Sequence, residues 1–91
     1  MSIEVRVPTV LRKHTDGQSK VSGEGETLAD LLDDLESRHT GLRSALVGED
    51  GQLHRFVNVY ANDEDVRFLG GLQTPLDDGD TVSILPAVAG G

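Results

Sequence analysis

Cysteine is absent from the 91 residues. That excludes a disulfide framework, a thiolate metal site and a cysteine nucleophile. Cations are scarce: 8 Lys+Arg stand against 16 Asp+Glu, a formal charge of −8. So acidic a surface repels phosphate backbones and anionic lipid, so neither nucleic acid nor a membrane is expected as a partner. The same charge serves solubility and speeds encounter with a basic surface. No apolar run approaches the length of a membrane span. Residues 1–10, MSIEVRVPTV, carry Glu4 and Arg6 inside their apolar stretch, which does not fit a signal peptide. A cytoplasmic location is expected. With 36% hydrophobic residues, the chain supports one domain and a modest core, too little scaffold to wall a deep pocket on every side. A carrier, module or inhibitor is expected before a free-standing enzyme.

No internal repeat, low-complexity tract or linker interrupts the chain. Ile3, Val5 and Val7 alternate with Glu4 and Arg6, the mark of a half-buried strand ending near Pro8. Asp16-Gly17 signals a turn, and a weaker strand around Val21 completes a hairpin. Within residues 26–41, Leu28, Leu31, Leu32 and Leu35 fall at i, i+3, i+4 and i+7, one apolar helix stripe. Thr27 with Asp30 forms a box-like cap, and Gly41, behind Arg38 and His39, is expected as the left-handed stop. Residues 42–48 read as a short turn and 49–52 as a loop. Alternation returns at 54–62, with Val57, Val59 and Ala61 on one side and Phe56, Asn58 and Tyr60 on the other. Residues 62–65 read as a turn and 66–71 as a short strand ending at two glycines. A turn tipped by Asp78-Gly79 leads to a last strand in which Val82 and Ile84 oppose Ser83 and Leu85.

The expected order is β-β-α-β-β, with an extra short strand before the last. One amphipathic helix can cover one face of a four- or five-stranded sheet, an α+β domain of two layers. Its stripe must bury against Ile3, Val5, Val7, Val57, Val59, Val82 and Ile84, with the first and last strands parallel in the middle of the sheet. On the uncovered face, Phe56, Tyr60 and Leu85 form a candidate partner-binding patch, unless residues 42–53 fold over it.

No side-chain catalytic constellation is found. His14, His39 and His54 lack the spacing of a helical zinc pair and read as surface residues. NDEDV and DDGD are fragments of a calcium loop without its full pattern, and read as turn chemistry. Gly70-Gly71 precedes a core strand and reads as a turn. The remaining anomaly is the ending ILPAVAGG, which has none of the charge of an ordinary disordered tail.

The element order, Leu76, Asp78, Gly79 and Asp80 in the turn, Val82 in the strand, then Pro86 and Gly90-Gly91, together resemble the ThiS/MoaD family of ubiquitin-like β-grasp sulfur carriers. The resemblance runs along the whole chain and is most specific in its last fifteen residues. Residues 5–18, 53–72 and 84–91 are most similar to the actinobacterial branch that serves cysteine biosynthesis. Ala87 stands where the molybdopterin branch commonly has a second proline.

The resemblance implies a mixed four- to five-stranded sheet with one main helix, a domain over 1–87 and a flexible Gly-Gly tail over 88–91. It implies a carrier, not an enzyme. An E1-like adenylyl/sulfurtransferase would use ATP and Mg²⁺ to adenylate the Gly91 carboxylate, and a sulfur donor would displace AMP to leave a thiocarboxylate. Val88, Ala89 and Gly90 would thread partner active sites, where glycine's missing Cβ permits close approach. A PLP-dependent cysteine synthase would present the aminoacrylate that the sulfur attacks, and a JAMM-type zinc peptidase would free cysteine after an S-to-N acyl shift. ATP, PLP and zinc would belong to these partners, the chain holding no cofactor or metal and being monomeric when free. The same fold leaves open the small subunit of molybdopterin synthase, or a protein modifier joined through Gly91 to lysines. A plain binding module would make the glycines incidental.

Overall fold

The computed structural model describes residues 2–54 and 57–86. Strand β1 (Ile3–Arg6) buries Ile3 and Val5 completely and turns Glu4 and Arg6 outward. Strand β2 (Lys20–Gly23) lies antiparallel to it, with Val5 opposite Val21 and Arg6 opposite Lys20. The connection is wider than a tight hairpin, because a 3-10 turn over Thr9–His14 follows Pro8. Asp16 and Gly17 then reverse the chain with φ of 54° and 82°. Thr15 beneath them is fully buried, and its hydroxyl donates to the Gln18 carbonyl at 2.8 Å, so the burial leaves no orphan.

Helix α1 (Leu28–Glu36) buries its four leucines, and the Thr27 hydroxyl accepts the Asp30 N–H at 3.2 Å. The helix stops five residues before Gly41. Gly41 does adopt a left-handed φ of 95°, but it opens helix α2 (Leu42–Leu46) and does not close α1. The stretch read as a turn is thus a five-residue helix that buries Leu42 and Leu46. The Glu36 carboxylate joins the two helices, accepting the N–H groups of Gly41 and Arg43 at 2.9 Å each. Those two donors, then the charges of Arg43 and His14, hold this carboxyl below the usual glutamate range. Helix α2 packs on α1 and on the Thr9–His14 turn.

Strand β3 (Val57–Ala61) turns at Asn62 and Asp63, both with positive φ, into the two-residue strand β4 (Glu64–Asp65). Two successive left-handed residues match the twist of an antiparallel pair, so the expected turn shrinks to its first half. The strand expected over 66–71 is not formed. Val66–Phe68 is a 3-10 turn whose start is capped by Asp65, accepting the Arg67 N–H at 2.9 Å. Gly70 and Gly71 take φ of 127° and 60°, which breaks any extended run. The extra short strand is therefore β4, one step earlier in the chain.

Strand β5 (Thr81–Pro86) completes a mixed sheet of order β2-β1-β5-β3-β4. It runs parallel to β1, Val5 facing Val82, and antiparallel to β3, Val59 facing Ile84. All seven expected sheet residues are buried with the leucine stripe, joined by Val21, Leu42, Leu46, Val47, Val66 and Leu76. This is the ubiquitin-like β-grasp arrangement. No helix among the described residues is long and apolar enough to cross a membrane.

Candidate functional site

The helices cover one face of the sheet, and the period of two along each strand puts a second set of side chains on the other. The strand register aligns Lys20, Arg6, Ser83, Tyr60 and Asp65 as one row across all five strands. Leu85 faces Asn58 in the adjacent row and is diagonal to Tyr60, a separation of about 7–8 Å. Leu85 is 48% exposed and Tyr60 half-buried. Both line an open groove of about 790 Å³ whose wall is continued by Val7 and Pro8. Residues 42–53 contribute nothing to its lining and lie with α2 instead.

Two of the three residues expected in the patch, Tyr60 and Leu85, are thus brought together. Phe56 lies outside the described residues, as do Val88, Ala89, Gly90 and Gly91. Two further features escaped the sequence. The turn after β1 adds Pro8 and Arg12 to the groove, a placement that only the fold of Thr9–His14 reveals. Phe68 is 87% exposed in the turn beyond β4, where a strand assignment had hidden it.

The turn before β5 serves position. Leu76 is buried and its N–H reaches the Glu26 carbonyl at 2.9 Å. Asp80 accepts the Asp77 N–H at 2.7 Å; that bond, and one with the Asn62 side chain, hold its carboxyl below the usual aspartate range. Gly79, with φ of 89°, donates its N–H to the Ser2 carbonyl, and Asp78 accepts the Ser2 N–H in return. The start of β5 is therefore tied to the starts of β1 and of the β3–β4 turn. Beyond Ser83, β5 has no pairing with β1 and continues along β3 alone, to Pro86 opposite Val57. Among the described residues no three metal-ligating side chains converge.

A family model described as the ThiS family matches residues 5–91. The sulfur carrier protein CysO of Mycobacterium tuberculosis is 55% identical over 93 aligned residues, with both chains covered completely. The crystal structure of the Amycolatopsis orientalis BexX/CysO complex contains a chain that is 56% identical with a TM-score of 0.91, covering 98% of this chain and 99% of that one. Small archaeal modifier protein 3 of Haloferax volcanii is 48% identical over 65 residues, 71% of this chain and 70% of the relative.

Proposed function

The chain belongs to the ThiS family, and from that premise we propose that it is a sulfur carrier for cysteine biosynthesis, loaded as a thiocarboxylate on Gly91. The observation that carries this reading is the full-length similarity to CysO. The route of β5 supports it. The central strand is tied at its start to the beginning of β1 and to the β3–β4 turn, and its last described residues, Leu85 and Pro86, run along β3 at the groove.

A carboxylate is a poor electrophile, so loading needs ATP: the Gly91 carboxylate attacks the α-phosphorus, pyrophosphate leaves, and an acyl-adenylate results. A sulfide equivalent adds to that carbonyl and expels AMP. The product is anionic at neutral pH and strongly nucleophilic, and it delivers sulfur to an acceptor held by a PLP-dependent cysteine synthase. A zinc peptidase of the JAMM type then restores the carrier. ATP with Mg²⁺, PLP and zinc are assigned to those partners; this chain supplies the groove, the tail and the terminal carboxyl. A CysO chain crystallised in complex with BexX supports a working state bound to another protein.

Intact-protein mass spectrometry tests this directly. After incubation with an E1-like activating enzyme, ATP and sulfide, one oxygen should be replaced by one sulfur at Gly91. O-Phosphoserine and a cysteine synthase should then yield a cysteinyl adduct. No exchange under conditions that load a known carrier would overturn the reading. The similarity to an archaeal modifier protein favours a second reading, attachment of Gly91 to target lysines. Isopeptide-linked adducts in extract, without a free thiocarboxylate, would select it.

A further inference from the structure

The chain is acidic as a whole, yet its groove is not. Arg6, Arg12 and Lys20 line it against a single carboxylate, Asp63, in a molecule of formal charge −8. Elsewhere the described arginines are matched: Arg38 with Asp34 at 2.7 Å, Arg43 with Asp33 at 2.8 Å, Arg67 with Asp65 at 3.9 Å. In the groove only Arg6 has such a partner, Glu4 at 3.2 Å. Arg12 and Lys20 have no ion pair among the described residues. Arg12 is nonetheless held, because its Nε donates to the Val7 carbonyl at 3.1 Å. That bond leaves the terminal nitrogens of a half-buried guanidinium free for a planar acceptor.

Between these cations lie Val7, Pro8, Tyr60 and Leu85. Tyrosine, arginine and an apolar seat in one concavity are the composition of a binding hot spot. Lys20 and Tyr60 stand three strands apart along one row, about 14 Å at ordinary strand spacing. An extended segment of about four or five residues spans that distance. A basic segment there would cover Arg12 and Lys20 with like charge, an arrangement that costs affinity. A carboxylate-bearing one would supply the missing partners.

We propose that the groove docks an acidic segment of a partner protein, which seats a large apolar side chain against Leu85 and Tyr60 and sets carboxylates on Arg12 and Lys20. This rests on the carrier reading only for which protein provides the segment. It departs from what net charge alone favours, a basic partner. The two expectations differ in sign: a further negative charge at the groove helps one and harms the other.

The test is an NMR titration of the full ¹⁵N-labelled chain with the peptide acetyl-Glu-Glu-Leu-Phe-Glu-Asp-amide and with its counterpart bearing lysine at every acidic position. The acidic peptide should shift Arg6, Arg12, Lys20, Tyr60 and Leu85 together, and the lysine peptide should not. Lys20→Glu should weaken the acidic peptide on the order of tenfold, with the spectrum otherwise that of the folded chain, since Lys20 is exposed and without an ion pair among the described residues. Glu49→Lys, in an exposed loop away from the groove, should leave binding within about twofold. Preference for the lysine peptide, shifts centred on α1, or indifference to Lys20→Glu would overturn the proposal. So would concentration-dependent shifts without peptide that Lys20→Glu removes, which would make a second copy the occupant. Running the sulfur-loading assay on the same variants separates the two readings. Groove binding without any thiocarboxylate refutes the carrier and leaves the groove. Equal loading of wild type and Lys20→Glu, with no peptide binding, does the reverse.

Discussion

Replacing Leu85 with lysine separates what this side chain does for the fold from what it does for docking. Leu85 is 48% exposed on the part of β5 that has passed the end of β1, opposite Asn58. Complete burial of a leucine is worth about 1.5–3 kcal/mol, so a partner that covers the exposed half gains about 1 kcal/mol from it. Lysine forfeits that gain. It also sets an ammonium where the partner's apolar side chain would seat beside Tyr60, and the incomplete solvation of that charge adds about another 1 kcal/mol. The sum, about 2 kcal/mol, is roughly a thirtyfold rise in Kd. The fold should lose less than about 0.5 kcal/mol, as surface substitutions usually do. Calorimetric titration against the E1-like activating enzyme reads the first quantity and urea unfolding the second. An unchanged Kd would mean that the partner does not cover Leu85. Equal losses of affinity and stability would mean that Leu85 is a structural residue and the docking face lies elsewhere.

Gly25→Ala should destabilise by about 2–3 kcal/mol, because a Cβ there would sit 2.4 Å from the backbone N of Leu31 and 2.8 Å from its Cα; a melting temperature within a degree or so of wild type would refute that contact. Glu36→Gln should weaken the α1–α2 junction in a pH-dependent way. The folded carboxyl lies below its ordinary value of 4.5, so its contribution is complete above that value and disappears as pH falls through the folded one. The urea midpoints of wild type and Glu36→Gln should therefore converge on acidification below pH 4.5, and a constant gap would show that the charge is not what matters. Gly91→Tyr should abolish loading with the unfolding midpoint unchanged, and normal adenylation of that variant in a pyrophosphate-release assay would refute the threading of Gly91.

The elements that were legible in the sequence are those whose burial follows one period over several residues. Ile3, Val5 and Val7, the Leu28–Leu35 stripe, and Val57, Val59 and Ala61 each commit one face to the core. The alternation of Val59 and Ala61 identified the outward Tyr60, and that of Val82 and Ile84 the outward Leu85. Helix α2 was hidden because five residues with two leucines barely complete one turn, and its stability comes from packing and from the Glu36 carboxylate ten positions before its end. In Val66-Arg67-Phe68 the alternation is real but misleading. Arg67 does not point outward from a strand; its guanidinium donates to the Val57 carbonyl at 2.7 Å and to Asn58 Oδ1 at 2.6 Å, and two left-handed glycines follow. The sign of the groove was illegible for a different reason. Net charge averages over the molecule, whereas Arg12 and Lys20 become neighbours of Leu85 only through the β1–β2 register and the turn after Pro8.

On the carrier reading, the groove and the tail would divide recognition between them. A Gly-Gly ending has little with which to distinguish one active site from another, since it presents backbone and no side chain. Discrimination must come from the folded face. The last described residue, Pro86, lies opposite Val57 on β3, and five residues fully extended reach at most about 17 Å, so on that reading a partner that engages the groove would hold the terminal carboxyl at a high effective concentration near its own active site. The short tether also limits what can happen next. With one groove and one tail, two partners cannot engage both at once. On the carrier reading, the chain must therefore leave its activating enzyme before it meets the acceptor enzyme, and groove affinities in that cycle have to be moderate so that release keeps pace with turnover. A variant that tightens the groove for the activating enzyme should accordingly load faster in a single turnover and slow the coupled reaction at steady state; acceleration of both would mean that hand-off occurs in a ternary complex and that the docking faces are separate.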